Sequence, residues 1–173
     1  KIEKEGAFSN LAVDSALASS SLSPKDKAFV SALIYGCTER KLTLDYQIEK
    51  YLSKPLNKLK TPVHMILRLG TYQLLFMDKV PVSAAVNESV RLAKENRCEY
   101  ASGLVNAVLR KVSANGLVLP DESNRIGYLS IRYSCPPELI SMWNKAYGEA
   151  DTEKLLQASL EKAEVVLRVN TLK

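Results

Sequence analysis

The helical character of this chain is clearest in residues 103–112, which read Gly-Leu-Val-Asn-Ala-Val-Leu-Arg-Lys-Val. Apolar residues recur there at the three- and four-residue spacing that puts side chains on one face of an α-helix. They are Leu104, Val105, Val108, Leu109 and Val112. Asn115-Gly116 follows as a typical helix C-terminal stop. Because this stripe is the most apolar in the chain, we predict that its helix lies at the centre of the core.

Further helices are predicted before this one. Ser23-Pro24 marks one start, because serine can cap a helix and proline fits its first turn. Thr61-Pro62 marks a second start of the same kind. Gly70 lies inside that second helix and costs about 1 kcal/mol relative to alanine, which predicts the close approach of a neighbouring helix. We predict an all-α bundle of five or six helices over residues 1–116.

Residues 117–163 are predicted to form a helical connector. It is expected to contain a short helix over 124–133, a helix from Pro136-Pro137 to Gly148, and a helix capped by Asp151 that runs to Leu160.

The last part of the chain changes period. Residues 164–170 read Glu-Val-Val-Leu-Arg-Val-Asn, which is typical of a strand. A lone strand is not stable by itself, so residues 164–173 are expected to begin a truncated second domain. The first residue is Lys1 rather than Met, and we therefore expect the chain to be part of a longer protein.

The composition is ordinary for a soluble globular protein, with 46% apolar and 25% charged residues in a chain of 173. Its longest apolar stretches are far shorter than the roughly 18 residues of a membrane span, and no secretory signal pattern is visible. The seven glycines form neither a GxGxxG nor a GxxxxGK[ST] motif, which argues against dinucleotide-binding and P-loop enzymes.

The cysteines, the histidine and a few polar residues near apolar stripes could carry chemistry. Three widely spaced cysteines predict reduced thiols in a cytoplasmic protein, and a structural Cys135 is favoured over a nucleophile because no histidine lies near it in the sequence. His64, the only histidine, is predicted to be a core or boundary residue rather than a ligand, and Arg68 to bridge helices. Three polar residues near the apolar stripes could face a ligand, but we favour the interpretation that they cap and crosslink neighbouring helices. They are Asn87, Glu88 and Asn106.

The net charge of +5 is unevenly distributed. The first 116 residues hold 17 Lys and Arg against 11 Asp and Glu, and the remainder holds 7 against 8. This excess suits a polyanion such as nucleic acid, although a merely solvated basic surface would give the same count. The candidate phosphate-binding residues lie at predicted helix ends and edges. They are Arg40, Lys41, Arg91, Lys94, Arg97, Arg110 and Lys111.

A series of motifs resembles the NusB family of RNA-binding antitermination factors. The series is Lys25-Asp26-Lys27-Ala28, Leu67-Arg68-Leu69-Gly70-Thr71-Tyr72-Gln73-Leu74, Val86-Asn87-Glu88-Ser89-Val90 and Gly103-Leu104-Val105-Asn106-Ala107-Val108-Leu109-Arg110. The chain continues beyond these motifs to Arg168-Val169-Asn170-Thr171-Leu172-Lys173. This ending is similar to the RsmB/Sun family of bacterial 16S ribosomal RNA cytosine-C5 methyltransferases, which carry a NusB-like N-terminal domain.

The resemblance implies a part in transferring a methyl group from S-adenosylmethionine to C5 of a cytidine in 16S ribosomal RNA. The family's nucleophile and cofactor site lie in the C-terminal methyltransferase domain, so none is expected in this chain. Cys135 stands where family members often have histidine and does not inherit a catalytic role. The residues leave three functions open: the RNA-binding appendage of such an enzyme, a freestanding NusB-type factor, or a purely protein-binding helical domain.

Overall fold

The computed structural model describes residues 8–161, whose fold is all-α. These residues form nine α-helices and no strand. They are α1 (Ser9–Ala18), α2 (Pro24–Glu39), α3 (Lys41–Glu49), α4 (Thr61–Phe76), α5 (Val82–Glu95), α6 (Ser102–Asn115), α7 (Arg125–Tyr133), α8 (Pro137–Tyr147) and α9 (Glu149–Ser159). None of these nine helices is long and apolar enough to cross a membrane. The predicted strand over 164–170 lies outside the described residues.

Local sequence signals define several of the helix ends. The Ser23 hydroxyl accepts a hydrogen bond from the Asp26 amide at 3.2 Å, which confirms the predicted cap of α2. Asn124 caps α7 in the same way, through the Gly127 amide at 3.1 Å. Gly116 and Gly148 end α6 and α8 with positive φ angles of 64° and 80°, a conformation that glycine adopts without steric cost.

Two predicted caps are wrong. Asp151 lies in the first turn of α9 and does not cap it, because the backbone at Gly148 turns so tightly that α9 begins at Glu149. The carboxylate of Asp151 still lies near the positive end of the helix dipole, where it is favourable. Helix α4 begins at Thr61 with Pro62 in its first turn as predicted, but no side chain caps it.

The body, residues 8–116, is built around α6. This helix packs against both α4 and α5, and Val105, Leu109 and Val112 on it are fully buried. Gly70 of α4 lies where the three helices meet, since a Cβ there would stand 2.6 Å from Leu109 Cδ1 and 2.7 Å from Ser89 Oγ. The predictions of a central helix and of a close approach at Gly70 are therefore confirmed.

The appended unit, residues 117–161, has a separate small core. Helices α7, α8 and α9 pack together around Leu129, Ile140 and Leu156. Trp143, the only tryptophan in the sequence, packs against this cluster from α8. The appended unit contacts the body mainly through α7, which packs against α3.

Directional hydrogen bonds join the two parts along α3. The Gln47 side chain donates to the Val118 carbonyl at 2.7 Å and accepts from the Val118 amide at 3.0 Å. The Thr43 hydroxyl donates to the Ile131 carbonyl at 2.5 Å. Both Thr43 and Gln47 are fully buried. This joint therefore fixes the orientation of the appended unit as well as its position.

Candidate nucleic-acid interface

The C-terminal end of α5 presents two of the candidate cations in an unusual turn. Lys94 lies in the last turn and Arg97 follows it, and both are exposed. The Cys98 amide donates to the Ala93 carbonyl at 2.8 Å, which places Arg97 in the left-handed region at φ 57°. Left-handed backbone costs a residue with a Cβ roughly 1 kcal/mol relative to glycine. The turn thus presents an arginine to solvent where glycine would be the less strained choice.

An exposed tyrosine lies three residues further along the chain. Tyr100 leaves 64% of its surface accessible to solvent, and Lys60 Nζ lies 5.0 Å from the centre of its ring. Exposed aromatic rings beside cations are platforms on which unpaired RNA bases stack. We call Lys60, Lys94, Arg97 and Tyr100 together the basic end of the body.

Lys60 also closes a lysine-rich connector that the sequence-based prediction missed. Lys50, Lys54, Lys58 and Lys60 are all exposed between α3 and α4. No Asp or Glu occurs from Lys50 to Met77, so no carboxylate within this run offsets the four lysines. This acid-free run was visible in the sequence and could have identified the connector.

Arg91 does not share the character of Lys94 and Arg97. Its guanidinium pairs with Glu88 at 2.5 Å and with Glu95 at 3.5 Å on the same exposed helix face. Two carboxylates around one guanidinium leave no local excess of positive charge, so Arg91 is poorly suited to hold a phosphate. The expected crosslink from Glu88 to another helix does not form, because Glu88 contacts its own helix.

Arg110 and Lys111 lie apart from the basic end. Both are exposed near the end of α6, and Arg110 Nε donates to Asn106 Oδ1 at 3.0 Å, one turn earlier. At about 1.5 Å per helical residue, some 15 Å of helix separates this pair from Tyr100. The contact also shows that Asn106 bonds within its own helix rather than to a neighbour.

Arg40 and Lys41 occupy a third location, where α2 meets α3. The Arg40 guanidinium lies 5.0 Å from the centre of the Phe76 ring, and its Nη1 donates to the Arg132 carbonyl at 3.5 Å. Lys41 is half-buried beside it. The structure therefore divides the seven candidates among three locations instead of assembling one patch.

A buried ionic cluster inside the body is structural. Arg68, only 5% exposed, binds Asp45 through Nε at 2.6 Å and Nη2 at 2.5 Å. His64 Nε2 donates to the same carboxylate at 2.7 Å. Burial alone would raise the pKa of Asp45, but the hydrogen bonds from Arg68 and His64 hold it below its ordinary value. Arg68 thus bridges α4 to α3, and His64 is a boundary residue, as predicted.

Burial disfavours the thiolate form of two of the three cysteines, Cys37 and Cys135. Burial raises the pKa of the Cys37 thiol to about 12, against the opposing charge of Arg68, and it also raises the pKa of Cys135. Since the thiolate is the nucleophilic form, neither group reacts readily at neutral pH. Within residues 8–161, no group of His, Cys, Asp and Glu side chains has a metal-binding arrangement.

Proteins named ribosomal RNA small subunit methyltransferase B match nearly the whole of this chain. The probable ribosomal RNA small subunit methyltransferase B of Synechocystis is 35% identical over 176 residues, covering 99% of this chain and 39% of that protein. The Bacillus subtilis protein of the same name is 33% identical over 174 residues, covering 100% and 39%. The chain therefore spans about 39% of the length of these relatives.

Proteins named for NusB match the body. The transcription antitermination protein NusB of Ruminiclostridium cellulolyticum is 34% identical over 115 residues, covering 66% of this chain and 79% of that protein. The solved structure of T. maritima NusB superposes with a TM-score of 0.52 at 30% identity, covering 56% of this chain and 68% of the other. The NusB family model matches residues 1–114. By both its sequence and its fold, this chain belongs to the NusB family.

Proposed function

We propose that this chain is the RNA-binding module of a ribosomal RNA small-subunit methyltransferase. The observation that carries the proposal is the extent of the matches. Relatives named methyltransferase B align over 99–100% of the chain, through the appended unit, whereas the antitermination protein aligns over only 66%. The match to the enzymes therefore extends through the appended unit, further along the chain than the share that the antitermination protein covers.

The proposed division of labour leaves the chemistry to the rest of the enzyme. A methyltransferase domain following residue 173 would bind S-adenosylmethionine and supply the nucleophile for C5 of a 16S cytidine. In this scheme residues 1–116 grip RNA, residues 117–163 connect, and residues 164–173 begin the next module. We expect this work to take place in the cytoplasm, where the ribosomal RNA is.

The basic end of the body is the proposed grip. It combines exposed cations, which bind phosphates without regard to sequence, with an exposed ring on which a base can stack. The strained Arg97 supports this assignment, because an outlier that lowers stability is expected where function requires the side chain. Among residues 8–161 the Arg97 side chain forms no ion pair, whereas Arg91 pairs with two carboxylates.

Arg97→Gly tests the proposal by separating stability from binding. Affinity for a 16S ribosomal RNA transcript should fall, and the slope of log affinity against log salt should fall by about 0.7 for the lost single-strand phosphate contact. The urea midpoint should stay constant or rise, because glycine relieves the left-handed strain.

Arg91→Gln is the matched control, since it removes the same charge six residues earlier in the chain, from within α5. We expect it to leave both the affinity and the salt slope nearly unchanged. RNA affinity that is independent of salt in the wild-type chain would contradict the proposal, and equal effects of the two substitutions would contradict the assignment to the basic end.

A freestanding antitermination factor is the second candidate. It is supported by the 79% coverage of a NusB relative and by the likeness to T. maritima NusB. An antibody against this chain distinguishes the two on a blot of the source cells. The first proposal expects a protein about two and a half times as long as these 173 residues, and the second expects one of about this length.

A further inference from the structure

A cleft of about 380 Å³ opens between the body and the appended unit. Of the residues that the structure describes, Arg40 lines it from the junction of α2 and α3, and five line it from the appended unit. These five are Arg132, Tyr133, Gln157, Leu160 and Glu161. Two guanidinium groups from different parts of the molecule therefore border one opening.

The Arg132 guanidinium is held in place by aromatic residues. Its Nη1 donates to the Tyr128 hydroxyl at 2.6 Å, and its Cζ lies 5.7 Å from the ring centre of Tyr128 and 5.4 Å from that of Tyr133. The nearby carboxylate of Glu153 is already occupied, because it pairs with Arg125 and accepts from the Tyr133 hydroxyl. Arg132 is thus ordered without a carboxylate partner among residues 8–161.

The Arg40 guanidinium is ordered in a similar way. Phe76 supports it from the body, and its one hydrogen bond within residues 8–161 is the 3.5 Å contact with the Arg132 carbonyl. Among residues 8–161, Glu161 is the one carboxylate that lines the cleft, so the two arginines outnumber the described carboxylates there. Ordered guanidinium forks with donors to spare are well matched to the oxygens of a phosphate.

We propose that Arg40 and Arg132 together bind a backbone phosphate of RNA, a role that rests on the proposed RNA-binding function. The site exists only when the two parts are docked, because each supplies one guanidinium. The appended unit is then part of the RNA-binding surface and not only a spacer. Phosphate is favoured over an acidic protein segment because the relatives that align through both parts of the chain are named for ribosomal RNA methylation.

The test measures binding of a 16S ribosomal RNA transcript to the full 173-residue chain at several salt concentrations. Arg132→Gln and Arg40→Gln should each weaken binding about tenfold and lower the salt slope. The double variant should also lose about tenfold rather than a hundredfold, because both residues serve one phosphate. Arg91→Gln, which removes an equal charge outside the cleft, should change the affinity less than twofold.

Arg132→Lys separates binding from folding. It keeps a cation near Tyr128 and Tyr133, so Trp143 fluorescence should report a folded appended unit. Because lysine lacks the planar guanidinium fork, the affinity for RNA should still fall. The proposal is overturned if Arg132→Gln and Arg132→Lys bind RNA with the same affinity as Arg91→Gln. A cleft that binds an acidic protein instead of RNA would give this result. If only Arg97→Gly lost affinity for RNA, the cleft site would be overturned and the proposed function would still hold. If the wild-type chain showed no salt-dependent RNA binding, both proposals would be contradicted.

Discussion

The body and the appended unit differ in the core that stabilises each of them. The body buries a continuous apolar core in which α4, α5 and α6 meet. The appended unit has a smaller core, which includes two tyrosines and a cysteine. Helix α3 belongs to both, since it sends Ile48 into the body and presents Thr43 and Gln47 to the appended unit.

The difference indicates a hierarchy of stability. Apolar burial is strong but non-directional, whereas hydrogen bonds to backbone groups are modest in energy and specific in geometry. We therefore expect the body to fold without the appended unit, and the appended unit to depend on α3 for its orientation. The Arg40–Arg132 pair requires that orientation, so its geometry depends on the joint.

Truncation of a core leucine in each part should produce the largest effects. Leu109→Ala and Leu129→Ala each remove a fully buried side chain and should cost about 3 kcal/mol. In urea, Leu109→Ala should shift helical circular dichroism and Trp143 fluorescence together. Leu129→Ala should shift the Trp143 signal to lower urea than the dichroism, because Trp143 reports only the appended unit. Coincident transitions in both variants would show one cooperative unit and remove the hierarchy.

Asp45→Asn should be nearly as costly, at about 3 kcal/mol near neutral pH, because it leaves Arg68 buried without its counter-charge. The pKa of Asp45 in the folded protein lies below its ordinary value of 3.8. Its stabilising contribution is therefore fully present above that value and is lost as the pH falls through the folded-state pKa. Urea unfolding at pH 7 and pH 3 should show a smaller difference between wild type and variant in acid.

The control for the Asp45 experiment is Glu88→Gln, which disrupts an exposed pair with Arg91. It should change the unfolding free energy by less than about 1 kcal/mol. A gap between wild type and Asp45→Asn that stays constant between the two pH values would refute the stabilising role of the charged carboxylate.

Gln47→Ala should produce a smaller and more local effect of about 2 kcal/mol. It leaves the Val118 amide and carbonyl without the partner that the structure gives them. Because this joint orients the appended unit, the Trp143 transition should move and the body should lose little. Gln73→Ala is the matched control, since the one hydrogen-bond partner of the Gln73 side chain within residues 8–161 is the Leu69 carbonyl of its own helix. Equal effects of both substitutions on Trp143 would argue against a special joint.

Sequence reasoning located the helices where short-range chemistry decides the outcome. Ser23-Pro24, Pro136-Pro137 and Gly116 each act on neighbouring residues, so their effects can be predicted without a fold. The cap at Asp151 was wrong because the tight turn at Gly148 takes precedence over it.

The candidate interface was harder to predict, because it depends on residues that are distant in sequence. Lys60 and Tyr100 are 40 residues apart, and Arg40 and Arg132 are 92 apart. Nothing local in the sequence indicates that either pair meets. Arg91 shows the reverse case, because its two acidic neighbours at helical spacing were visible in the sequence and predict its neutralisation.

The Gln47 side chain has a consequence for how this joint tolerates sequence change. Its primary amide offers one donor and one acceptor to residue 118, as a neighbouring peptide group would in a sheet, so a single side chain substitutes for a short strand. What it recognises is the main chain, and the identity of the side chain at position 118 does not enter. Any residue with an amide hydrogen can therefore make these two hydrogen bonds, and proline, which has none, is the substitution that the joint should reject.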